Sequence, residues 1–149
     1  MDSIQLSFTK KEFRDLLLEV MLGSGILGML ADERGKSSEP CEAIQKRLLI
    51  AAHRLGWHEM VQEFEGSLLP SDKLCEEEEH LSEDYDDNVF WHELETRLGK
   101  RDFYRTVTKD EEKEMKAKQW LPERVHKIYG SYAKEFEEHG LERLRVVDV

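Results

Sequence analysis

Cysteine, proline and long apolar runs are all scarce in this chain, and each scarcity removes a class of protein. Only two cysteines occur, Cys41 and Cys75. They are too few and too far apart for a secreted disulfide scaffold or a closely spaced metal pair. The most apolar stretch, Leu16 to Ala31, contains Glu19 and is about one turn short of the ~20 residues that cross a bilayer. The opening Met1-Asp2-Ser3-Ile4 has neither a basic n-region nor an apolar h-region, so no signal peptide is expected. A reducing, cytoplasmic setting without membrane contact follows. Positive charge is also in deficit: a net charge of −11 opposes direct binding to nucleic acid or anionic lipid, both polyanions.

Apolar residues make up 39% and charged residues 37%, with six Phe, four Tyr and three Trp spread along the chain. That content is enough for a core in spite of the charge. A length of 149 residues predicts a single domain over 1–149, burying about two-thirds of the unfolded surface.

The acidity is local. Residues 72–87 hold nine carboxylates (Asp72, Glu76, Glu77, Glu78, Glu79, Glu83, Asp84, Asp86 and Asp87) against one Lys73. The rest of the chain is close to balanced. Leu74, Leu81 and Tyr85 give this segment a thin apolar edge at helical spacing, opposed by the mutual repulsion of four consecutive glutamates.

Elsewhere the periodicity predicts a mainly α protein of six or seven helices in a compact domain. Ile4, Leu6 and Phe8 alternate as a short strand. Thr9 and Glu12 form a capping box that opens a helix expected to end near Gly23. Gly23 to Gly28 reads as a tight corner before a second short helix, and Cys41 to Leu55 as another helix, stopped by Gly56. Trp57 to Phe64 reads as a short helix, with a break at Gly66, Pro70 and Ser71. Phe90, Trp91, Leu94 and Leu98 share one helical face, and Thr108 with Glu111 caps a polar helix. Leu121, Val125, Ile128, Tyr129, Tyr132 and Phe136 form the clearest amphipathic stripe, closed at Gly140. The tail from Leu144 reads as a strand, so the two chain ends are expected to pair in a two-stranded sheet.

The motifs with chemical potential are weak. Gly23-x-Gly25-x-x-Gly28 matches a dinucleotide fingerprint, but no strand delivers it to a helix N-terminus and no parallel series follows. The pairs Glu77/His80 and Glu123/His126 have di-iron spacing without the inward glutamates such a bundle needs. The acidic runs lack the order of a calcium-binding loop. Neither cysteine carries a nucleophile signature. No catalytic residue, metal or cofactor is therefore expected.

The block Phe90-Trp91-His92-Glu93-Leu94, the Arg101-Asp102-Phe103 ending and Glu135-Phe136-Glu137 before Gly140-Leu141 resemble a pattern in small, acidic, mostly helical bacterial proteins of unknown function. The resemblance implies a helical architecture and carries no activity. Gly99 stands in that block where a helix former is expected. Core packing accounts for Phe90, Trp91, Leu94 and Leu98, and Trp91 is the residue of the block that could instead face a partner.

The expected function is a non-catalytic interaction module or inhibitor, of the DNA-mimic or immunity type, that offers Asp72 to Asp87 and Trp91 to a basic protein. The alternatives are a small enzyme with a His/Glu site between helices, an accessory subunit docking through Leu16–Ala31, or a solvated segment that only aids solubility.

Overall fold

The structure is a computed structural model, and it describes residues 4–145 apart from the side chain of Cys41. Within that range the chain is mainly helical. The elements in order are α1 (Lys10–Glu33), α2 (Glu39–Arg54), β1 (Val61–Phe64), β2 (Ser67–Pro70), α3 (Asp72–Arg105), α4 (Lys109–Lys118) and α5 (Arg124–His139). Two compact units divide at Glu83 and Asp84, inside α3. Among the described residues no helix is long and apolar enough to cross a membrane.

In the first unit, Thr9 caps α1 as anticipated: its hydroxyl accepts from the Glu12 N–H at 3.3 Å, and the Thr9 N–H donates to the Glu12 carboxylate at 2.8 Å. The helix then runs through Gly23, Gly25 and Gly28 to Glu33, so the expected corner and second short helix are one continuous element. Each helical glycine costs about 1 kcal/mol relative to alanine, a penalty and not a stop signal. The stop comes at Gly35, whose φ of 61° is the left-handed conformation that ends a helix. Phe13, Leu17, Leu18 and Met21 of α1 meet Leu49 and Ala52 of α2, with Met60, Val61 and Leu74, in one core. Trp57 packs edge-on to Phe13, 5.2 Å between centroids. Lys10 sits 5.8 Å over the Trp57 ring and forms an ion pair with Glu59.

The sheet is not where the alternation at the chain ends placed it. Residues 4–8 form no strand, and Ile4 and Leu6 are exposed. The predicted C-terminal strand lies mostly outside the described residues, from 146 onward, and residues 144–145 are not strand. The two antiparallel strands are β1 and β2, paired from Val61↔Pro70 to Phe64↔Ser67. Glu65 and Gly66 connect them with φ values of 51° and 76°, the double positive φ of a tight hairpin turn. This hairpin replaces the helix expected over Trp57–Phe64. Val61 is buried in the core while Phe64 stays exposed, so tertiary burial of one face selects the extended form.

In the second unit, Phe103, Val125 and Phe136 are buried. Five helices are present among the described residues rather than six or seven. The count falls because α1 absorbs two predicted helices, the hairpin replaces the one over Trp57–Phe64, and α3 joins the acidic segment to the Phe90–Leu98 helix. Gly99 does not interrupt α3. A Cβ built there would lie 2.4 Å from Cδ1 and 2.8 Å from Cε1 of Tyr129, so the missing side chain is what lets the Tyr129 ring of α5 lie against α3.

Arg124, the first residue of α5, organises the polar side of this unit. Its Nε reaches Glu111 Oε1 at 2.7 Å and its Nη2 reaches Oε2 at 3.1 Å. Nη1 donates to the Thr106 hydroxyl at 3.0 Å, and the guanidinium lies 4.8 Å over the Phe103 ring. Glu111 also closes the Thr108 capping box. One carboxylate thus caps α4 and anchors α5.

Candidate functional site

All nine carboxylates of 72–87 lie in α3. At 3.6 residues per turn, Asp72, Glu76, Glu79 and Glu83 of the first unit fall within an arc of about 60°, with Leu74 on the opposite side, and Asp86 and Asp87 are neighbours in the second unit. Burial agrees: Leu74 is in the core, all six of those acids are exposed, and Glu77 and Glu78, which flank Leu74 on the helix, are half-buried. The core contact of Leu74 therefore turns Asp72, Glu76 and Glu79 outward, whereas Leu81 and Tyr85, expected on the same apolar edge, are 43% and 60% exposed and give the later acids no buried face to oppose. Asp72 to Glu83 belong to the first unit, and Asp84, Asp86, Asp87 and Trp91 to the second.

Their partners differ. Glu77 is in an ion pair with Arg14 of α1. Asp72 accepts from the Gln62 amide at 2.7 Å, Glu78 accepts from the Ser82 hydroxyl at 3.3 Å, and Glu83 lies 3.8 Å from His80. Glu76, Glu79, Asp84, Asp86 and Asp87 have no ion pair among the described residues. Only Glu77, off the exposed line, is matched by an arginine or lysine there.

Trp91 is half-buried. Its ring lies 5.7 Å from Phe136 of α5 and edge-on to Phe90 at 5.0 Å. It lines a shallow hollow of about 380 Å³ with Asp87, Asn88, His92 and Glu95. Part of the indole packs on α5 and part is open to solvent; Leu94 and Leu98 are likewise half-buried, whereas Phe90, expected in the core, is 47% exposed.

The weaker motifs take ordinary structural places. Gly23, Gly25 and Gly28 lie inside α1, where backbone N–H groups bond within the helix and cannot cradle a phosphate. The Glu77 carboxylate is held by Arg14 and not by His80, and the His126 ring stands 5.9 Å edge-on from Tyr129. Desolvation, then the carboxylates of Asp72, Glu78 and Glu79, push the Cys75 thiol up. That keeps it protonated and poorly nucleophilic.

One polar cluster escaped the sequence reading. Arg101 Nε donates to Asp102 at 2.8 Å, the Tyr132 hydroxyl donates to the same carboxylate, and Arg105 lies 3.6 Å away. The Arg101 guanidinium and then the Tyr132 hydroxyl hold the Asp102 carboxyl down to about 2. The cluster ties α3 to α5. The line of acids at spacings of four and three was readable at helical period, although the repulsion within Glu76–Glu79 obscured it.

Set against protein-family models, curated proteins and solved structures, the chain matches none of them.

Proposed function

We propose that this protein is a non-catalytic, cytoplasmic interaction module that presents the acidic line of α3 to a basic protein partner, as an inhibitor of the DNA-mimic or immunity type would. The observation that carries the reading is the exposed arc of Asp72, Glu76, Glu79 and Glu83 in the first unit, free of lysine or arginine partners among the described residues. Density adds support. A net of −8 over residues 72–87, at 1.5 Å per residue, is one charge per about 3 Å, close to the ~3.4 Å of a single DNA strand. Such a surface speeds encounter with a basic partner and disfavours nucleic acid itself. The exposed Cys75 thiol suits a reducing compartment.

The test is charge reversal at exposed positions, Glu76→Lys with Glu79→Lys, in a pull-down from native lysate at low and high salt. A basic protein captured at low salt by the parent, released at high salt and lost from the variant at unchanged melting temperature, is the expected result. Equal capture by parent and variant overturns the reading.

A further inference from the structure

The second half of α1 is built the wrong way round for a core helix. Its glycines make only ordinary contacts: a Cβ on Gly25, itself exposed, would lie 3.8 Å from the Glu78 carboxylate of α3, and one on half-buried Gly28 would lie 4.0 Å from Ser38. The large aliphatics point outward instead, Ile26 at 48% and Met29 at 57% exposure. At helical period Ile26, Met29 and Leu30 share an arc of about 100°, with Leu22, which packs against the core, at its N-terminal end and Leu27, 55% exposed, beside it. Glu19 and Glu33 lie on the same arc, one beyond each end of the aliphatics. Both are exposed, and neither has an ion pair among the described residues.

We infer that this face of α1 is a docking site for an amphipathic helix of a partner protein, with an aliphatic centre and a basic residue near each end. The acids select that occupant. A second copy pairing antiparallel by a two-fold axis would set Glu19 of one chain against Glu33 of the other, and like charges repel across such a contact. Anionic lipid meets the same repulsion. A helix with lysine or arginine about 21 Å apart, the axial span of residues 19 to 33, satisfies both ends while its aliphatics cover Ile26 and Met29. This surface is separate from the acidic line of α3 and does not depend on it.

The test uses the full chain and a fluorescent synthetic peptide of about 18 residues, with leucines along one helical face and a lysine pair at each end. A control peptide of the same composition is scrambled so that no apolar face forms. Fluorescence anisotropy is expected to show binding of the first peptide and at least about tenfold weaker binding of the control. The Ile26→Gln/Met29→Gln variant, at unchanged melting temperature, weakens the first peptide by a similar factor. Glu19→Lys/Glu33→Lys does the same, most at low salt. Equal binding of both peptides, or affinity unchanged in the Ile26/Met29 variant, overturns the inference. A dimer in sedimentation that Ile26→Gln/Met29→Gln dissolves also overturns it, by giving the face to a second copy. Loss of both peptides in Glu76→Lys/Glu79→Lys, with no effect of the α1 variants, rejects this site and leaves the α3 reading standing.

Discussion

The two units are held together by different physics. In the first, Phe13, Leu17, Leu18, Met21, Leu49, Ala52, Met60, Val61 and Leu74 form a continuous apolar core. In the second, the buried side chains are Phe103, Val125 and Phe136, and much of the remaining cohesion is polar and aromatic. Arg124 bridges Glu111, Thr106 and Phe103, Arg101 and Tyr132 converge on Asp102, and the Tyr132 and Phe136 rings stack at 5.8 Å. Apolar burial is non-directional and tolerant of small shifts, whereas a hydrogen-bonded carboxylate depends on angle, charge and pH. The first unit should therefore respond mainly to lost volume, and the second to close steric fit and acid.

The largest effect is expected from Leu17→Ala. Leu17 is 0% exposed in the apolar core, and truncation there leaves a cavity costing about 2–5 kcal/mol. Urea denaturation measures the loss, and hydrogen exchange should place the weakened amides in α1 and α2. Protection that falls only in α4 and α5 would break the contrast between the units.

Gly99→Ala comes next. The added methyl meets the Tyr129 ring at 2.4 Å, an overpacking expected to cost about 1–3 kcal/mol. A smaller residue opposite should recover part of it, so Gly99→Ala in a Tyr129→Leu background is expected to cost less than in the parent. Additive effects in that double-mutant cycle would mean that the ring does not set the requirement for glycine. Tyr129 has a further weakness, since its buried hydroxyl has no hydrogen-bond partner among the described residues.

Acid should sharpen the same comparison with a smaller effect, because the groups are exposed and screened by salt. The Arg101 guanidinium holds Asp102 down to about 2, and Arg124 with the Thr108 backbone holds Glu111 down to about 2. A depressed carboxyl stabilises the folded state fully above its unfolded value near 4, and that stability is lost as pH falls toward 2. The first unit has its own depressed carboxyls, Glu12 at the Thr9 cap and Glu59 beside Lys10. Hydrogen exchange between about pH 5 and 2 should show Asp102→Asn/Glu111→Gln flattening the profile of α4 and α5 while leaving that of α1 and α2 unchanged. An unchanged α4 and α5 profile would remove these pairs from the stability of the second unit.

Both capping boxes were legible from residue types alone, because Thr9–Glu12 and Thr108–Glu111 are interactions three residues apart that need nothing distant. The stripe Val125–Phe136 was legible for the same reason, as was the mainly helical class. Gly23 to Gly28 reads as a corner because glycine punctuates turns in general, whereas within α1 it only lowers helix propensity and the helix runs on to Glu33. Gly99 differs, its reason being a tyrosine thirty positions later. Glu65-Gly66 lacks the Asn or Asp that usually announces a tight hairpin, so Trp57–Phe64 was taken for helix.

The candidate site divides in the same way. The local sequence located nine acids between 72 and 87, and the Phe90–Leu94 block named Trp91. It could not say which acids point outward, since that depends on Leu74 reaching the core and on Arg14 reaching Glu77. Local order and charge content are written in neighbouring residues, whose interactions survive in any compact state of the chain. Orientation, the role of Gly99 and the exposed aliphatics of α1 depend on segments brought together only by folding, and no window along the sequence contains both partners.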